Sequence, residues 1–251
     1  SVALASFLKR KPLYLHEQNA VMGLTNECVS ILANTIFTQF KLNSFWFKHK
    51  MVHVGSPRTS DFRHRNSDTT LFTSLGFKSD KPLVVFVMGS LGSFTMQKII
   101  TDMVSLYPHC DFQRLVVTGS RYFDKAKQYD SPATYTRIVE SVSLFDLYPF
   151  ITLLVTRAGA TTMAELIGSG TPSIVIPSPF VPRNHQMKNA LFLSHEQATH
   201  IVHETGLDAH ALHNHVETLV RDTERLYQMK ANLSRLTQFK EIEKMVEYMG
   251  L

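Results

Sequence analysis

Cysteine is nearly absent from this sequence. Its 251 residues hold only Cys28 and Cys110, with no Cys-x-x-Cys pair, which excludes a disulfide-stapled scaffold and a zinc-finger pattern and fits a reducing compartment. Long hydrophobic runs are also missing. The longest clean stretch is Leu83 to Met88, far short of the ~18–20 apolar residues a membrane-spanning helix requires. No Asp-x-Asp occurs, so the ligands for a metal-held sugar diphosphate are lacking. There is no Gly-x-Ser-x-Gly hydrolase elbow, and no Gly-Lys-Ser/Thr follows a glycine-rich turn. A strong charge of one sign is absent too: 26 Lys and Arg oppose 21 Asp and Glu, for a net +5. That mild excess favours anionic partners such as phosphates, nucleotides or an acidic membrane surface. No dense basic stripe with interleaved aromatics is present, which argues against nucleic acid.

What remains is an ordinary globular composition, 44% hydrophobic and 19% charged, long enough for one large α/β domain or two modest ones. The chain opens on Ser1 rather than Met, as a processed product or a piece of something longer would. Val2 to Leu8 reads as an apolar helix ending in Lys9-Arg10-Lys11; the order of apolar and basic parts is the reverse of a signal peptide. Short strands follow at Leu13 to Leu15, Thr35 to Phe40 and Met51 to Val54, with a helix over Thr25 to Leu32. From Ser56 to Asp80 the sequence turns polar and irregular, which predicts a linker near a domain boundary. Beyond it, strands at Leu83 to Met88, Leu115 to Thr118, Arg137 to Val139, Thr152 to Val155, Ser173 to Ile176 and Ile201-Val202 alternate with helices. These helices run to Val104, to Ile167, over Asn184 to Leu193, and within Val216 to Phe239. Continuous apolar strands separated by helices predict a doubly wound parallel sheet with ligands at the strands' carboxyl ends.

Three segments could carry chemistry. Gly89-Ser90-Leu91-Gly92-Ser93 joins a buried strand to a helix, where glycine backbone and free helix amides suit an anion; a plain tight turn fits it equally well. Arg157-Ala158-Gly159-Ala160-Thr161-Thr162 repeats that pattern, and Glu165 lies one helical turn beyond Thr161. On the residues alone, Glu165 is either a hydroxyl acceptor or a solvated acid. The third segment runs from Ile176 to Gln186. Pro177, Pro179 and Pro182 stiffen it, Asn184 stands at an N-cap position, and His185 and Gln186 fall in the first turn, an arrangement suited to reading a sugar or base. Six histidines lie between His195 and His215, but no cysteine accompanies them, and solvated surface histidines account for them better than a metal. His16 and Glu17, adjacent in a strand, point to opposite faces and form no dyad.

The order of these pieces resembles the MurG family of bacterial glycosyltransferases. The resemblance is carried by His16-Glu17-Gln18-Asn19, Gly23-Leu24-Thr25-Asn26 and Gly55-Ser56-Pro57-Arg58. It continues through Met88 to Ser93, Arg157 to Glu165, Pro177-Ser178-Pro179-Phe180, Asn184-His185-Gln186 and Asn189-Ala190. Ser56 stands where the family's motif has Asn, and Met88 where it has Gly.

This resemblance implies a GT-B fold, two Rossmann-like domains facing across a cleft. Residues 1–55 would be the end of the N-terminal acceptor domain, 56–239 the donor domain, and 240–251 a helix returning to the first. It implies inverting transfer of GlcNAc from UDP-GlcNAc to the C4 hydroxyl of the MurNAc unit of lipid I, forming lipid II. It further implies peripheral attachment to the cytoplasmic face of the cell membrane, other cell-wall enzymes as partners, and neither cofactor nor metal. The family's glycine-rich loop, with its proposed catalytic histidine, and its membrane patch would precede Ser1, so no catalytic residue is assigned. Gly89, Ser90 and Gly92 would meet the diphosphate together with Gly159, Ala160, Thr161 and Thr162, and Arg58 and Arg157 would supply charge. Glu165 would take the ribose hydroxyls, and Gln186 and His185 would read the GlcNAc. Asn19 would reach across the cleft, with His16 nearby on the acceptor side. No residue is assigned to the uracil. Two alternatives stay open: transfer to a diacylglycerol or dolichol-type acceptor, and a non-catalytic remnant that binds nucleotide sugars.

Overall fold

A computed structural model describes residues 2–42, 47–63, 68–89, 93–237 and 240–250. The chain begins with α1 (Val2–Leu8), β1 (Tyr14–Glu17), α2 (Leu24–Val29), β2 (Thr35–Thr38) and β3 (Met51–His53). The three strands pair in parallel in the order β1-β2-β3, with Leu15 opposite Ile36 and Phe37 opposite Val52. Two short helices, α3 (Pro57–Ser60) and α4 (Thr70–Ser74), lead into the larger unit.

That unit is a six-stranded sheet, parallel throughout, built from β4 (Leu83–Val87), β5 (Gln113–Val117), β6 (Thr136–Val139), β7 (Leu153–Thr156), β8 (Ser173–Val175) and β9 (His200–Ile201). The strand order is β6-β5-β4-β7-β8-β9. The intervening helices are α5 (Phe94–Leu106), α6 (Ser120–Ala126), α7 (Leu144–Leu147), α8 (Ala160–Ser169) and α9 (His185–His195). Three more follow the sheet: α10 (Ala209–Arg221), α11 (Thr223–Leu236) and α12 (Glu241–Met249).

The apolar run of β4 is explained by burial on both faces. Val84 and Phe86 pack with Met96, Ile100 and Met103 of α5 and with Leu212 and Val216 of α10. Leu83 and Val85 point the other way, onto Met163 and Leu166 of α8 and Ala190 and Leu193 of α9. Each such side chain removed from water contributes about 1.5–3 kcal/mol before entropy is counted.

The polar stretch 56–80 is not a free tether. Phe62, Phe72 and Phe77 are buried in the core below the sheet, and residues 64–67 lie outside the described residues. Its three aromatics sit among polar residues without a helical or strand period, so periodicity did not expose them. Gly168 lies inside α8, whose end is set by Gly170 at φ +67°. Helix α10 starts at Ala209, capped by Asp208 Oδ1, which accepts from Ala211 N at 2.7 Å. Helix α6 had no counterpart in the sequence reading. At the far end, α12 returns to the first sheet: Tyr248 meets Phe37 edge-on at 6.2 Å, and Glu241 accepts from Ser60 Oγ at 2.8 Å.

The amino-edge of the large sheet is fastened by a buried arginine. Arg114 of β5 donates to the carbonyls of Tyr107 (2.6 Å) and Pro108 (2.8 Å), just past α5, and to Thr136 Oγ1 (3.0 Å). Those carbonyls mark the negative end of the helix, which suits a cation. Tyr107 in turn stacks on His213 of α10, 3.7 Å between centroids and 9° between planes, and bonds His210 Nδ1 at 2.6 Å. The buried His213 is pushed below its ordinary value, first by burial; Glu217 opposes that, while Arg114, Arg221 and His210 add to it. His213 is therefore neutral in the folded chain and gains its proton readily only on unfolding. Its contribution to stability is present above the unfolded value of about 6.5 and is lost as pH falls below it. The melting temperature should drop on going from about pH 7.5 to 5.5, and by less in His213→Gln. An identical drop in both proteins would contradict this assignment.

Candidate functional site

The sheet changes winding direction between β4 and β7: β5 and β6 lie to one side of β4, β7, β8 and β9 to the other. In open α/β sheets, ligands bind outside the strands' carboxyl ends at such a switch point. Val87 pairs with Thr156, so the chain leaves β4 and β7 side by side and at one level.

Each exit is a glycine corner. Gly89 follows β4 with φ +83°, and an added Cβ would meet nothing within 4 Å. Ser90, Leu91 and Gly92 lie outside the described residues; Ser93 resumes the chain as the N-cap of α5. After β7, Gly159 is the N-cap of α8, and a Cβ there would reach only Thr162 Oγ1, at 3.7 Å. Met163 N is the first amide of α8 to bond back to Gly159 O. The amides of Ala160, Thr161 and Thr162 thus have no partner within the helix, at its positive end. Thr161 is exposed and Thr162 half-buried.

The His16-Glu17-Gln18-Asn19 segment is built onto this corner by two buried polar side chains. Glu17 organises the turn: Oε1 accepts from Asn19 N (2.9 Å) and Nδ2 (3.3 Å), and Oε2 accepts from Gly23 N (2.8 Å) and Asn26 Nδ2 (2.9 Å). Asn189 of α9, fully buried, joins the turn to the corner. Its Nδ2 donates to Ala158 O (3.0 Å) and Asn19 Oδ1 (3.1 Å), while its Oδ1 accepts from Ala20 N (2.7 Å). Gln39 adds a further tie, donating from Nε2 to Ala160 O at 3.0 Å. Asn19 is thereby brought beside the β7 corner. His16 is not: its Nε2 donates to Gly55 O at 2.9 Å, at the crossover before α3.

Glu165 and Arg58 are brought together. Arg58 donates to Glu165 Oε1 from Nε (2.9 Å) and Nη2 (2.8 Å), and its Nη1 meets Asp61 Oδ2 at 2.8 Å. Its guanidinium lies over Phe62 and Phe145, 5.9 and 5.5 Å from the ring centroids. The carboxylates hold Arg58 above its ordinary value, against an opposing push from burial that is the largest single influence. Tyr148 Oη donates to Glu165 Oε2 at 3.0 Å. Arg157, by contrast, is buried and compensated: Nη1 donates to Ile176 O (3.0 Å) and to Glu204 Oε2 (2.8 Å). Its charge fastens the β7 corner to the segment after β9.

The proline loop after β8 closes on itself. Gln186 Oε1 accepts from Ser178 N at 2.8 Å, and His185 Nδ1 donates to Pro182 O at 2.9 Å. Arg183 and Asn184 both adopt positive φ, 54° and 52°, and Asn184 makes no side-chain cap. Two successive left-handed residues turn its amide away from the helix amides it was expected to bond. Arg183 reaches instead to Met22 O and Glu27. Among the described residues no group of three His, Cys, Asp or Glu is arranged to hold a metal. His200 and His215 approach at 3.4 Å beside a hollow of about 580 Å³, against β9 and α11.

Tyr148, Glu204 and Gln39 had no motif to mark them. Asn189 had two signals: Asn189-Ala190 is among the segments that carry the resemblance, and Asn189 is a polar residue on the apolar helix face of Ala190 and Leu193.

Comparison with known proteins bears on the family and the fold. The family model for the glycosyltransferase family 28 C-terminal domain matches residues 83–246. The UDP-N-acetylglucosamine--N-acetylmuramyl-(pentapeptide) pyrophosphoryl-undecaprenol N-acetylglucosamine transferase of Caldanaerobacter subterraneus subsp. tengcongensis is 34% identical over 248 residues, 94% of this chain and 67% of that protein. The protein of the same name from Listeria welshimeri is 33% identical over 251 residues, 98% of this chain and 69% of that one. The chain thus spans about two thirds of the length of these relatives. Among solved structures, Acinetobacter baumannii MurG superposes with a TM-score of 0.74 at 23% identity, covering 98% of this chain and 70% of that one. S. aureus MnaA, solved with UDP, gives 0.71 at 12% identity, covering 98% and 71%. These structural likenesses establish an α/β fold of the GT-B kind. On the family match and the sequence identity together, the chain belongs to glycosyltransferase family 28, in its MurG family of GlcNAc transferases.

Proposed function

We propose that this chain binds UDP-GlcNAc at the β4/β7 exits and takes part in transferring its GlcNAc to the C4 hydroxyl of the MurNAc unit of lipid I. The observation that carries the reading is the pair of open glycine corners side by side at the switch point, with Glu165 about 6 Å further along the axis of α8 than Thr161. The amides of Ala160, Thr161 and Thr162, with Gly89 opposite, grip the diphosphate. Ser90 and Gly92, which the resemblance also assigns to the diphosphate, lie outside the described residues. Glu165 accepts from the ribose, and Gln186 and His185, in the first turn of α9, face the sugar. Asn19, tied through Asn189 to the β7 corner, stands at the donor from the acceptor side. Arg58 and Arg157 act through Glu165 and Glu204 rather than as free cations on the phosphates.

In the transfer, the acceptor's C4 oxygen bonds to the anomeric carbon as the bond to the β-phosphate oxygen breaks. UDP leaves with the electron pair, the anomeric centre inverts, and the hydroxyl proton passes to a base. Charge developing on the departing phosphate falls on preorganised amides at the positive end of α8, where they stabilise it without reorganising. Contact with a lipid surface suits α1: Leu4, Phe7 and Leu8 are exposed, and Lys9, Arg10 and Lys11 follow them. No helix among the described residues is long and apolar enough to cross a membrane.

Calorimetric titration with UDP is expected to show binding; none on a folded sample would overturn the donor site. Glu165→Ala should weaken UDP by roughly tenfold or more while changing free pyrophosphate less; equal losses would contradict a ribose contact. Asn189→Leu keeps the branching and number of heavy atoms but leaves Ala20 N and Ala158 O unpaired. It should cost ~1–3 kcal/mol of stability, read by denaturant melts, and weaken UDP as well. Vesicles containing acidic lipid should retain the chain in sedimentation, and Phe7→Ser with Leu8→Ser should reduce that retention severalfold; undiminished retention would remove α1 from the lipid contact.

A further inference from the structure

Taking Glu165 as the ribose acceptor, we infer that Tyr148 is a positioning residue that sets the one free acceptor site of that carboxylate and thereby determines selectivity for a ribonucleotide. The inference deepens the proposed function and rests on it.

An ionised carboxylate offers about four acceptor sites, two on each oxygen. Glu165 Oε1 receives Arg58 Nε at 2.9 Å and Arg58 Nη2 at 2.8 Å, which fills it. Oε2 receives Tyr148 Oη at 3.0 Å, which leaves one site. A ribose hydroxyl approaching Glu165 in this state meets that remaining site on Oε2. Arg58 alone cannot fix its direction. Both of its donors land on a single oxygen, and the terminal torsion of a glutamate is soft, so the carboxylate could swivel about that contact. Tyr148 removes the swivel from the other side.

The residue is suited to the task. Tyr148 is 2% exposed, at the start of the 3₁₀ turn Tyr148–Phe150 that leads into β7. Its ring is held edge-on against Phe62, 5.4 Å between centroids at 76°. Phe62 itself lies close beneath α8, where a Cβ on Gly168 would come within 2.7 Å of its ring. The hydroxyl position is thus fixed by the packing of α8, the helix that carries Glu165. Tyr148 does not touch the proposed substrate in this arrangement; it acts through the carboxylate.

The test is calorimetric binding of UDP and 2′-deoxy-UDP to the full chain, to Tyr148→Phe and to Arg58→Gln, with the melting temperature of each protein recorded. Tyr148→Phe retains the buried ring and removes only the hydroxyl. The parent chain should prefer UDP, and Tyr148→Phe should shrink that preference by about threefold to tenfold, chiefly by weakening UDP. A general loss of stability would weaken both nucleotides alike and leave the ratio unmoved. Preference in the parent with an unchanged ratio in Tyr148→Phe overturns the role of Tyr148 and leaves the reading of Glu165 standing. Absence of preference in the parent removes the reading of Glu165, and this inference with it. Arg58→Gln keeps the hydroxyl and serves if Tyr148→Phe does not fold: it should retain most of the preference, and its complete loss there would assign the positioning to Arg58 instead.

Discussion

The parallel pairing of β4 with β7 is the constraint on which the rest of the molecule depends. Both strands are buried on two faces, so a register shift would carry every side chain of a strand into the wrong layer. Val84 and Phe86 match one helical layer, Leu83 and Val85 the other, and a slip would exchange them. With register held this firmly, the two exits are fixed side by side at one level, and the helices that follow them pack on opposite faces of the sheet. A pair of adjacent strand exits is then a consequence of core packing, before any ligand is considered. Glycine at the corners keeps the space above them open. At Gly89 the positive φ also requires it, since a side chain there would be strained even with nothing to strike.

Hydrophobic packing is non-directional and cannot by itself hold the connecting segments in one orientation. Buried polar groups do that here. Glu17 gathers four donors from one turn, and Asn189 uses both ends of its amide to fasten that turn to the β7 corner. Arg157 and Glu204 join the same corner to the segment beyond β9, and Arg114 joins α5 to β5 and β6. Each of these groups would cost free energy if left unpaired, so alternative loop positions are penalised by the donors and acceptors they would orphan. The ties of Asn189 and Arg157 meet at the carboxyl ends of β7 and β8, and that of Arg114 holds the opposite, amino end of the sheet.

The large sheet and both glycine corners were legible in the sequence because they depend on neighbours in the chain. Leu83 to Met88 is apolar throughout, and Gly89 and Gly159 come within three residues of their strands' ends. Helix α10 was located only in its second half because His210, His213 and His215 obscure its period; the partner that buries His213, Tyr107, is remote in sequence. The same holds for charge. Arg58 and Glu165 are separated by 107 residues, Arg157 and Glu204 by 47, and nothing local in either arginine shows that its charge is already compensated. Asn184 fails differently: its residue type fits an N-cap, but two left-handed residues in a stiff proline loop override that preference.

Compensation of the arginines changes what the site asks of a ligand. A free guanidinium would attract phosphate through a charge that salt screens, and would need to be positioned as it bound. Arg58 paired with Glu165, and Arg157 paired with Glu204, instead lend the site rigidity and little net field. Under the proposed function, the attraction for a diphosphate would fall on amides whose direction is set by the start of α8, and selectivity on the acceptor sites that Arg58 leaves open. Arg58 also belongs to α3, directly after the Gly55 crossover that joins the two sheets. Any ligand that drew Glu165 Oε1 away from Arg58 would loosen a contact between the donor-side helix and that crossover. The Arg58–Glu165 contact therefore joins α8 of the large sheet to the segment that follows the smaller one.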